Sequence, residues 1–372
     1  MPRSLLVFEP PDGGVAQHVL ELARGLPAHG WEVAVAGPVE SAIYPALEEA
    51  GVPFERLPIG RALRPGPYAR ATTTLRRRAA TGHYDVVHVH SSKAGAIARP
   101  AARLGGTPVV YTPHCFPFIG PQRARRKLLA TAAERALAPI TDAFICVSDD
   151  ERREALDSRV GNPQRLHVVH NGSAPCRPVE ADAKLAAHTA GGPSVGAIAV
   201  LRPQKAIDVF VRAAPAILEA VPEARLAVIG DGELRDELEQ LAQRLGIGES
   251  LRFFGFTPPA SRALAQLDLF VLPSLWEAFP ISVLEALACG VPQVASDVGG
   301  TREALVHGET GLLCAPGDPA SLAAAVIELL RDDERREKMS SASKERHHQR
   351  FELDRMIGAT ASVYEKAVSR RR

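Results

Sequence analysis

The sequence lacks long hydrophobic runs. None of its segments approaches the roughly 18 uninterrupted apolar residues that a membrane-spanning helix needs. The apolar stretch 5–8 is too short for the core of a signal peptide, and the acidic residues Glu9 and Asp12 follow it directly. We therefore expect a cytoplasmic protein that does not cross a membrane and is at most peripheral at its inner face.

An excess of one charge sign is also absent. The 372 residues carry 44 Lys and Arg against 43 Asp and Glu, whereas a nucleic-acid-binding protein is usually much more basic. The five cysteines form no C-x-x-C pair, which argues against structural zinc and for a reducing compartment. No Asp-x-Asp pair occurs, so a Mg²⁺ ion held by clustered carboxylates is not expected.

Short apolar runs alternate with helix-length amphipathic segments along the whole chain. This alternation predicts βαβ units and parallel sheets covered by helices on both faces. The predicted strands are 4–8, 32–36, 86–89, 109–112, 143–147 and 166–169, then 194–200, 225–229, 251–253, 269–272 and 293–295. We expect two Rossmann-like, doubly wound α/β domains that face a central cleft. The predicted boundaries are a first domain 1–172, a linker 173–193, a second domain 194–345 and a helical tail 346–372 that can cross back to the first domain.

Open α/β sheets bind ligands at the carboxyl ends of their strands. Gly13 and Gly14 follow the first strand, where paired glycines let backbone N–H groups approach an anion. The alternative is a tight turn with no ligand. Arg202 and Lys205 follow the strand that opens the second half, and they suit a diphosphate. The alternative there is an exposed basic turn.

The most specific pattern is the segment 277–285, which follows another apolar strand. Pro280 suits the first turn of a helix that ends at Gly290, and the free N–H groups of that turn would face an anion. Glu277 and Glu285 could each accept hydrogen bonds from a pair of sugar hydroxyls. These features together fit a nucleoside-diphosphate sugar, and the alternative is an ordinary helix with two solvated glutamates.

Three histidines lie at or near predicted strand ends. His114 follows the strand 109–112 and could donate to a substrate oxygen, although a structural histidine is the alternative. His88 and His90 are spaced as half of a metal site, but no further ligand pattern supports one, and core or rim positions explain them better. We therefore expect no metal.

Together these residues resemble the retaining glycosyltransferases of family 4, which have the GT-B fold. The similarity is carried by the segments 13–23, 85–95, 111–116, 169–172, 229–233, 253–256, 277–285 and 299–303. The sequences SSKAG and YTPH look most like members that build bacterial surface polysaccharides or lipid-linked glycans.

The resemblance implies transfer of a sugar, with retention, from a nucleoside-diphosphate sugar to a lipid-linked or glycan acceptor, with no cofactor. The catalytic residues it implies are His114 at the transferring sugar, Arg202 and Lys205 at the diphosphate, and Glu277 at the sugar hydroxyls. The donor-binding residues it implies are Gly13, Gly14, Phe256, Thr257, Ala278, Phe279, Pro280, Ile281 and, at the ribose, Glu285. The chain departs from the family at Val200 and Ala206, where arginine and glycine are usual. Arg202 is the candidate to replace the missing arginine.

Two other classes stay open on the sequence. One is a nucleotide-sugar epimerase or hydrolase on a similar two-domain fold, which would consume the donor without an acceptor. The other is an inactive nucleotide-sugar-binding module, against which the intact Glu277, Glu285, Lys205 and His114 argue.

Basic residues are concentrated in the first half of the chain. Residues 1–175 have a net charge of +5 and residues 176–372 of −4, and the basic residues of the first half crowd into 61–78 and 123–127. They predict a docking surface for an anionic membrane or a phosphorylated acceptor. The alternative is a pair of solvated helix faces.

Overall fold

The chain folds as two units built around separate sheets. The computed structural model describes residues 1–60, 65–81, 83–121, 123–177, 179–256 and 258–370. Unit 1 comprises 1–171 and 353–372, and unit 2 comprises 172–352.

Both sheets are parallel, as the alternation of strands and helices predicts. The strands are β1 Arg3–Phe8, β2 Glu32–Pro38, β3 Phe54–Leu57, β4 Val86–His90, β5 Val109–Thr112, β6 Ala143–Cys146, β7 Leu166–Val168, β8 Ser194–Ile198, β9 Arg225–Ile229, β10 Leu251–Phe254, β11 Leu269–Leu272, β12 Gln293–Ser296 and β13 Gly311–Cys314. In unit 1 the strand order is β3-β2-β1-β4-β5-β6-β7, and in unit 2 it is β10-β9-β8-β11-β12-β13. The prediction of two Rossmann-like, doubly wound sheets is confirmed.

Helices connect the strands of both units. They are α1 Gly13–Gly25, α2 Tyr44–Glu49, α3 Pro65–Thr81, α4 Ser92–Leu104, α5 Ala124–Leu137, α6 Asp149–Asp157, α7 Ala183–Thr189, α8 Ile207–Ala220, α9 Arg235–Arg244, α10 Ala260–Leu264, α11 Ile281–Cys289, α12 Thr301–Ala304, α13 Pro319–Leu330, α14 Asp333–Arg350 and α15 Leu353–Ser369. No helix among the described residues is both long enough and apolar enough to cross a membrane.

The strand order places one switch point in each sheet. In unit 1 the chain builds outward from β1 in one direction and then from β4 in the other; in unit 2 the same reversal separates β8 from β11. Loops leaving the carboxyl ends of two such strands diverge and open a crevice, which is where ligands bind in open α/β sheets. The central strands are buried throughout, because helices cover both faces.

The sequence pattern did not predict two of the strands, β3 and β13. β3 lies at an edge and reads Phe-Glu-Arg-Leu, so it lacks the apolar run of a buried strand. β13 is short and begins at Gly311, where a Cβ would lie 2.4 Å from the carbonyl oxygen of Gln293 on β12. This close approach needs glycine, a residue that is otherwise disfavoured in strands.

The predicted linker 173–193 lies inside unit 2 and contains a helix. Asp182 caps α7 by accepting hydrogen bonds from the backbone N–H groups of Lys184 and Leu185, both at 3.0 Å. The buried His188 then contacts the carbonyl oxygen of Leu226 on β9 at 2.9 Å. These contacts attach the segment to the second sheet.

The C-terminal helix α15 belongs to unit 1, whereas residues 346–352 of the predicted tail belong to unit 2. Tyr364 is fully buried on α15; its hydroxyl lies 2.7 Å from Nδ1 of His88, and its ring packs against Trp31 with a centroid distance of 5.0 Å. Gly25 ends α1 at a point where a Cβ would lie 2.2 Å from Cδ1 of Ile357. Helix α15 therefore packs against the strands and helices of unit 1.

Two of the five cysteines are paired, contrary to the expectation from the sequence. A disulfide joins Cys176 to Cys289, the last residue of α11, while Cys115, Cys146 and Cys314 form no disulfide. The sequence shows no signal for this pair because the two cysteines are 113 residues apart. Cysteine usage therefore no longer supports a reducing compartment.

Candidate active site

In unit 2 the residues that follow β8 and β11 meet across the switch point. Lys205 ends a 3₁₀ turn, Pro203–Lys205, and its Nζ lies 2.5 Å from Oε1 of Glu277. Ser274 donates a second hydrogen bond to the same carboxylate oxygen at 2.7 Å. Both charged side chains are largely buried, with 14% of Lys205 and 7% of Glu277 exposed. The two predicted catalytic residues thus hold each other in place.

The turn that carries Lys205 is held by its neighbours. Two glycines after β9 pack against the segment between β8 and this turn. A Cβ at Gly230 would lie 1.9 Å from the carbonyl oxygen of Ala199, and a Cβ at Gly232 would lie 2.4 Å from that of Leu201. Ala206 has a φ of 45°, in the left-handed region that favours glycine. Glycine, which is usual at this position in the family that the sequence resembles, would therefore adopt this backbone conformation more easily than alanine.

Neither Val200, at the family's usual arginine position, nor Arg202 places a buried basic side chain in this turn. Arg202 lies just before the 3₁₀ turn with its side chain exposed, and Val200 is also exposed. Lys205, three residues further on, is the basic side chain of this turn that reaches the Glu277 carboxylate. The assignment of Arg202 to a diphosphate stays a prediction.

Helix α11 has the predicted bounds and cap. It begins at Ile281, directly after the N-cap residue Pro280, and ends at Cys289; the C-cap residue Gly290 has a left-handed φ of 68°. The first N–H groups of any helix have no acceptor within the helix, so the start of α11 can receive an anion. Glu285 lies one turn further along the same helix and is half-buried.

The loop before α11 packs tightly against residues that follow β12. A Cβ at Gly300 would lie 1.9 Å from the carbonyl oxygen of Ala278, so this position requires glycine. The ring of Phe279 is buried and packs on Phe351 with a centroid distance of 5.5 Å. Phe279 can therefore serve a ligand through its backbone only, whereas Ala278 is half-buried.

The predicted nucleobase contact consists of Phe256 and Thr257, and the structure describes only Phe256. Phe256 follows β10 and is 68% exposed, whereas Thr257 lies outside the described residues. An exposed aromatic ring at the carboxyl end of a strand is compatible with stacking on a base. The base assignment stays a prediction.

In unit 1 the paired glycines open α1. Gly13 is the first residue of the helix and has a φ of 79°, and both Gly13 and Gly14 are exposed. No atom within 4 Å would obstruct a Cβ at Gly13, so the requirement for glycine there comes from the backbone conformation. The helix start is thus open to an approaching group.

His114 lies in the loop after β5, in a strained backbone with a φ of 54°. The buried carboxylate of Glu151 fixes this loop, because it accepts hydrogen bonds from the N–H groups of Cys115 at 2.6 Å and Val147 at 2.8 Å. Ser148 caps the helix that carries Glu151. Glu151 is not among the residues predicted from the sequence, although a Ser-x-x-Glu spacing after a strand is a recognisable helix-capping signal.

Four imidazoles gather at this edge of the first sheet. His90 Nδ1 lies 3.1 Å from His114 Nε2. The His18 ring packs edge-on against the His114 ring, with a centroid distance of 4.7 Å. His88 contacts Tyr364 and Thr112, each at 2.7 Å, so His88 is a satisfied core residue, in line with the structural alternative. Burial lowers the pKa of all four histidines, that of His18 to about 4.

Three of these histidines are close enough to be considered as metal ligands. Nitrogen atoms of His18, His90 and His114 lie within 4.8 Å of one another. In a tetrahedral zinc site, ligand nitrogens lie about 3.3 Å apart, since each Zn–N bond is about 2.0–2.1 Å. The expectation of no metal stays a prediction.

The comparisons with known proteins identify the class. Residues 12–174 match the family model "Glycosyltransferase Family 4", and residues 183–346 match "Glycosyl transferases group 1". A phosphatidyl-myo-inositol mannosyltransferase of Mycobacterium leprae is 32% identical over 91% of this chain and 89% of its own. The chain therefore belongs to the family 4 glycosyltransferases with the GT-B fold.

Other relatives share the fold and parts of the sequence. A UDP-Gal:alpha-D-GlcNAc-diphosphoundecaprenol alpha-1,3-galactosyltransferase of Escherichia coli is 31% identical over 67% of each chain. The crystal structure of Anabaena Alr3699/HepE with UDP and glucose has a TM-score of 0.84 at 21% identity, covering 98% of this chain and all of the other. Sucrose-phosphate synthase of Thermosynechococcus elongatus has a TM-score of 0.85 at 20% identity, with both chains covered in full.

Proposed function

We propose that this glycosyltransferase moves a sugar, with retention and without a metal, from a nucleoside-diphosphate sugar to a lipid-linked or polysaccharide acceptor of cell-envelope synthesis. The observation that carries the proposal is the buried Lys205–Glu277 pair beside the start of α11. It places a cation, a carboxylate and free helix N–H groups at one switch point. These are the groups that bind a phosphate and a sugar hydroxyl.

The Lys205–Glu277 ion pair can bind a nucleotide-sugar donor while the two side chains stay in contact. An ammonium group has three N–H donors, and Lys205 uses one of them for Oε1 of Glu277. The same oxygen accepts a second hydrogen bond from Ser274. Lys205 can therefore hold Glu277 and a donor phosphate together. Glu277 keeps a second oxygen for a sugar hydroxyl.

A same-face displacement fits these groups best. The bond from the anomeric carbon to the phosphate oxygen breaks, the acceptor oxygen bonds to that carbon on the same face, and the leaving phosphate takes the acceptor's proton. Lys205 and the N–H groups at the start of α11 stabilise the negative charge that develops on the phosphate. The family resemblance implies a hydrogen bond from His114 to the transferring sugar, and this role stays a prediction.

A donor panel tests the proposal. We expect one or a few nucleoside-diphosphate sugars to raise the melting temperature, and Lys205→Met to abolish the shift while the exposed control Lys338→Met keeps it. With acceptor present, ¹H NMR should show the donor's anomeric configuration in the product. Inversion would refute the mechanism. Donor consumption without acceptor would indicate an epimerase or hydrolase, and binding without turnover would indicate an inactive module.

Helix α5 supports an anionic, membrane-bound acceptor. Its first turns expose Arg123, Arg125, Arg126 and Lys127. Leu128 and Leu129 follow and are 69% and 62% exposed. Cationic side chains beside exposed leucines suit the headgroup boundary of an anionic bilayer, where each basic residue can contribute about 1 kcal/mol. Relatives whose names include phosphatidyl-myo-inositol and diphosphoundecaprenol support the same choice.

The second basic stretch is less available for docking. Arg76 and Arg77 on α3 are exposed, but Arg78 pairs with Glu55 on β3. Arg61 and Arg64 lie outside the described residues. We therefore assign the membrane contact to α5.

Vesicle sedimentation tests the membrane contact. Vesicles containing anionic lipid should bind the protein at 0.1 M salt and release it at 1 M, because the Debye length falls from about 10 to about 3 Å. Serine at the four basic positions of α5 should abolish binding and leave donor binding unchanged. A charge-matched control replaces exposed basic residues of unit 2, namely Arg244, Arg252, Arg331 and Lys338. Equal binding by both variants would refute the role of α5.

A further inference from the structure

The contact between His90 and His114 joins two adjacent strands of unit 1. His90 is the last residue of β4 and is fully buried, and it pairs in register with Thr112, two residues before His114. The rings lie nearly parallel, at 24°, with His90 Nδ1 3.1 Å from His114 Nε2. A contact at this distance between two imidazole nitrogens needs one N–H group and one lone pair.

Both rings are neutral at physiological pH, so each carries one proton. Burial lowers the pKa of His90 and of His114 well below the ordinary value, and the neighbouring histidines lower it further. The direction of the hydrogen bond is therefore a choice between two tautomers of each ring. If His90 donates, its proton lies on Nδ1; if it accepts, its proton lies on Nε2.

The surroundings of His90 decide between the two arrangements. Its Nε2 is buried and has no hydrogen-bond partner among the described residues. A buried N–H group without an acceptor is rarer than a buried lone pair without a donor. The proton of His90 therefore belongs on Nδ1, and His90 donates to His114.

We propose that His90 is a positioning residue that fixes His114 as the tautomer protonated on Nδ1. His114 Nε2 accepts from His90, and no hydrogen bond among the described residues involves His114 Nδ1. His114 is partly exposed, and its loop is fixed through Glu151. The neutral ring thus presents one N–H donor to a substrate oxygen. The sugar as recipient rests on the proposed function, whereas the tautomer does not.

The tautomer can be measured directly in the full-length protein. In protein labelled with ¹⁵N- and ¹³C-histidine and freed of metal with EDTA, ring chemical shifts distinguish the two neutral tautomers, and His114→Gln assigns the signals. We expect Nδ1–H for His114 at pH 7.5. His90→Asn keeps an N–H donor close to the Nδ1 position and should preserve this tautomer. His90→Leu removes the donor and should shift the population towards Nε2–H.

Kinetics then separate positioning from structure. We expect His90→Asn to keep kcat within about threefold of wild type and His90→Leu to lower kcat about tenfold, with UDP affinity unchanged in both. Melting temperatures identify any variant that does not fold. An Nε2–H tautomer in wild-type protein, or equal tautomers and equal kcat in the two variants, would overturn the proposal. If the wild type transfers no sugar, the NMR result still decides the tautomer.

A metal ion is the rival explanation for the cluster. If His18, His90 and His114 hold an ion, the ion rather than His90 would select the protonated nitrogen. The same spectra are therefore recorded before EDTA treatment and after one equivalent of ZnCl₂. Unchanged His114 signals support the proposal, and a tautomer that appears only with the ion overturns it.

Discussion

The Lys205–Glu277 pair should couple strongly in a double-mutant cycle. Removing one partner of a buried ion pair costs about 3–5 kcal/mol, because the other charge is left without compensation. Here 14% of the Lys205 side chain remains exposed, so we expect the lower end of that range, about 3 kcal/mol, for Lys205→Met. Glu277→Gln keeps an oxygen for the Ser274 hydroxyl and should cost about 2 kcal/mol.

The double variant should be less destabilised than the sum of the single variants, by about 2 kcal/mol, since it leaves no unpaired charge. Urea unfolding followed by circular dichroism gives the four free energies. The exposed pair Lys338–Glu334, with side chains 73% and 78% exposed, is the matched control and should couple by only about 0.3–0.5 kcal/mol. Additive losses at Lys205 and Glu277, within about 0.5 kcal/mol, would refute the argument that the pair is preorganised.

Three further predictions address the site. Glu285→Gln should weaken nucleoside-diphosphate binding about tenfold to a hundredfold without unfolding the protein, and unchanged affinity by calorimetry would exclude the ribose assignment. Transfer should persist in excess EDTA; loss of turnover that Mg²⁺ or Mn²⁺ restores would show that a metal supplies the charge. Burial lowers the pKa of His18 to about 4 in the folded state, so unfolded chains bind the extra proton first and stability falls as pH drops below 6.5. His18→Gln should therefore lose about 1.4 kcal/mol less than wild type between pH 7.5 and 5.5; equal losses in urea titrations would contradict this.

The local parts of the site could be predicted because their signals are short in sequence. An apolar strand, then Pro280, then Gly290 fix the bounds of α11 through backbone conformation alone. Strand-to-helix turns likewise locate Gly13 and Lys205. Since the carboxyl ends of parallel strands share an edge, the described candidate residues in the strand-to-helix loops lie at the expected end of their sheet.

The contacts between distant segments could not be predicted in the same way. Lys205 and Glu277 are 72 residues apart, and they meet because β8 and β11 are neighbours, a fact that depends on strand order. The same holds for His90 with His114 and for the disulfide of Cys176. A single sequence indicates most of the strands but not which of them lie side by side.

The return of α15 to unit 1 has a consequence for the order in which the chain folds on the ribosome. Unit 2 is one continuous stretch, 172–352, whereas unit 1 lacks Tyr364 and the rest of α15 until residues 353–369 have been synthesised. Domains usually fold as units in the order of synthesis. Ribosome-bound chains that expose residues up to 352 should therefore resist protease in unit 2 and be cleaved in unit 1, and the reverse pattern would contradict this. The half of the protein that is synthesised first is then the half that matures last.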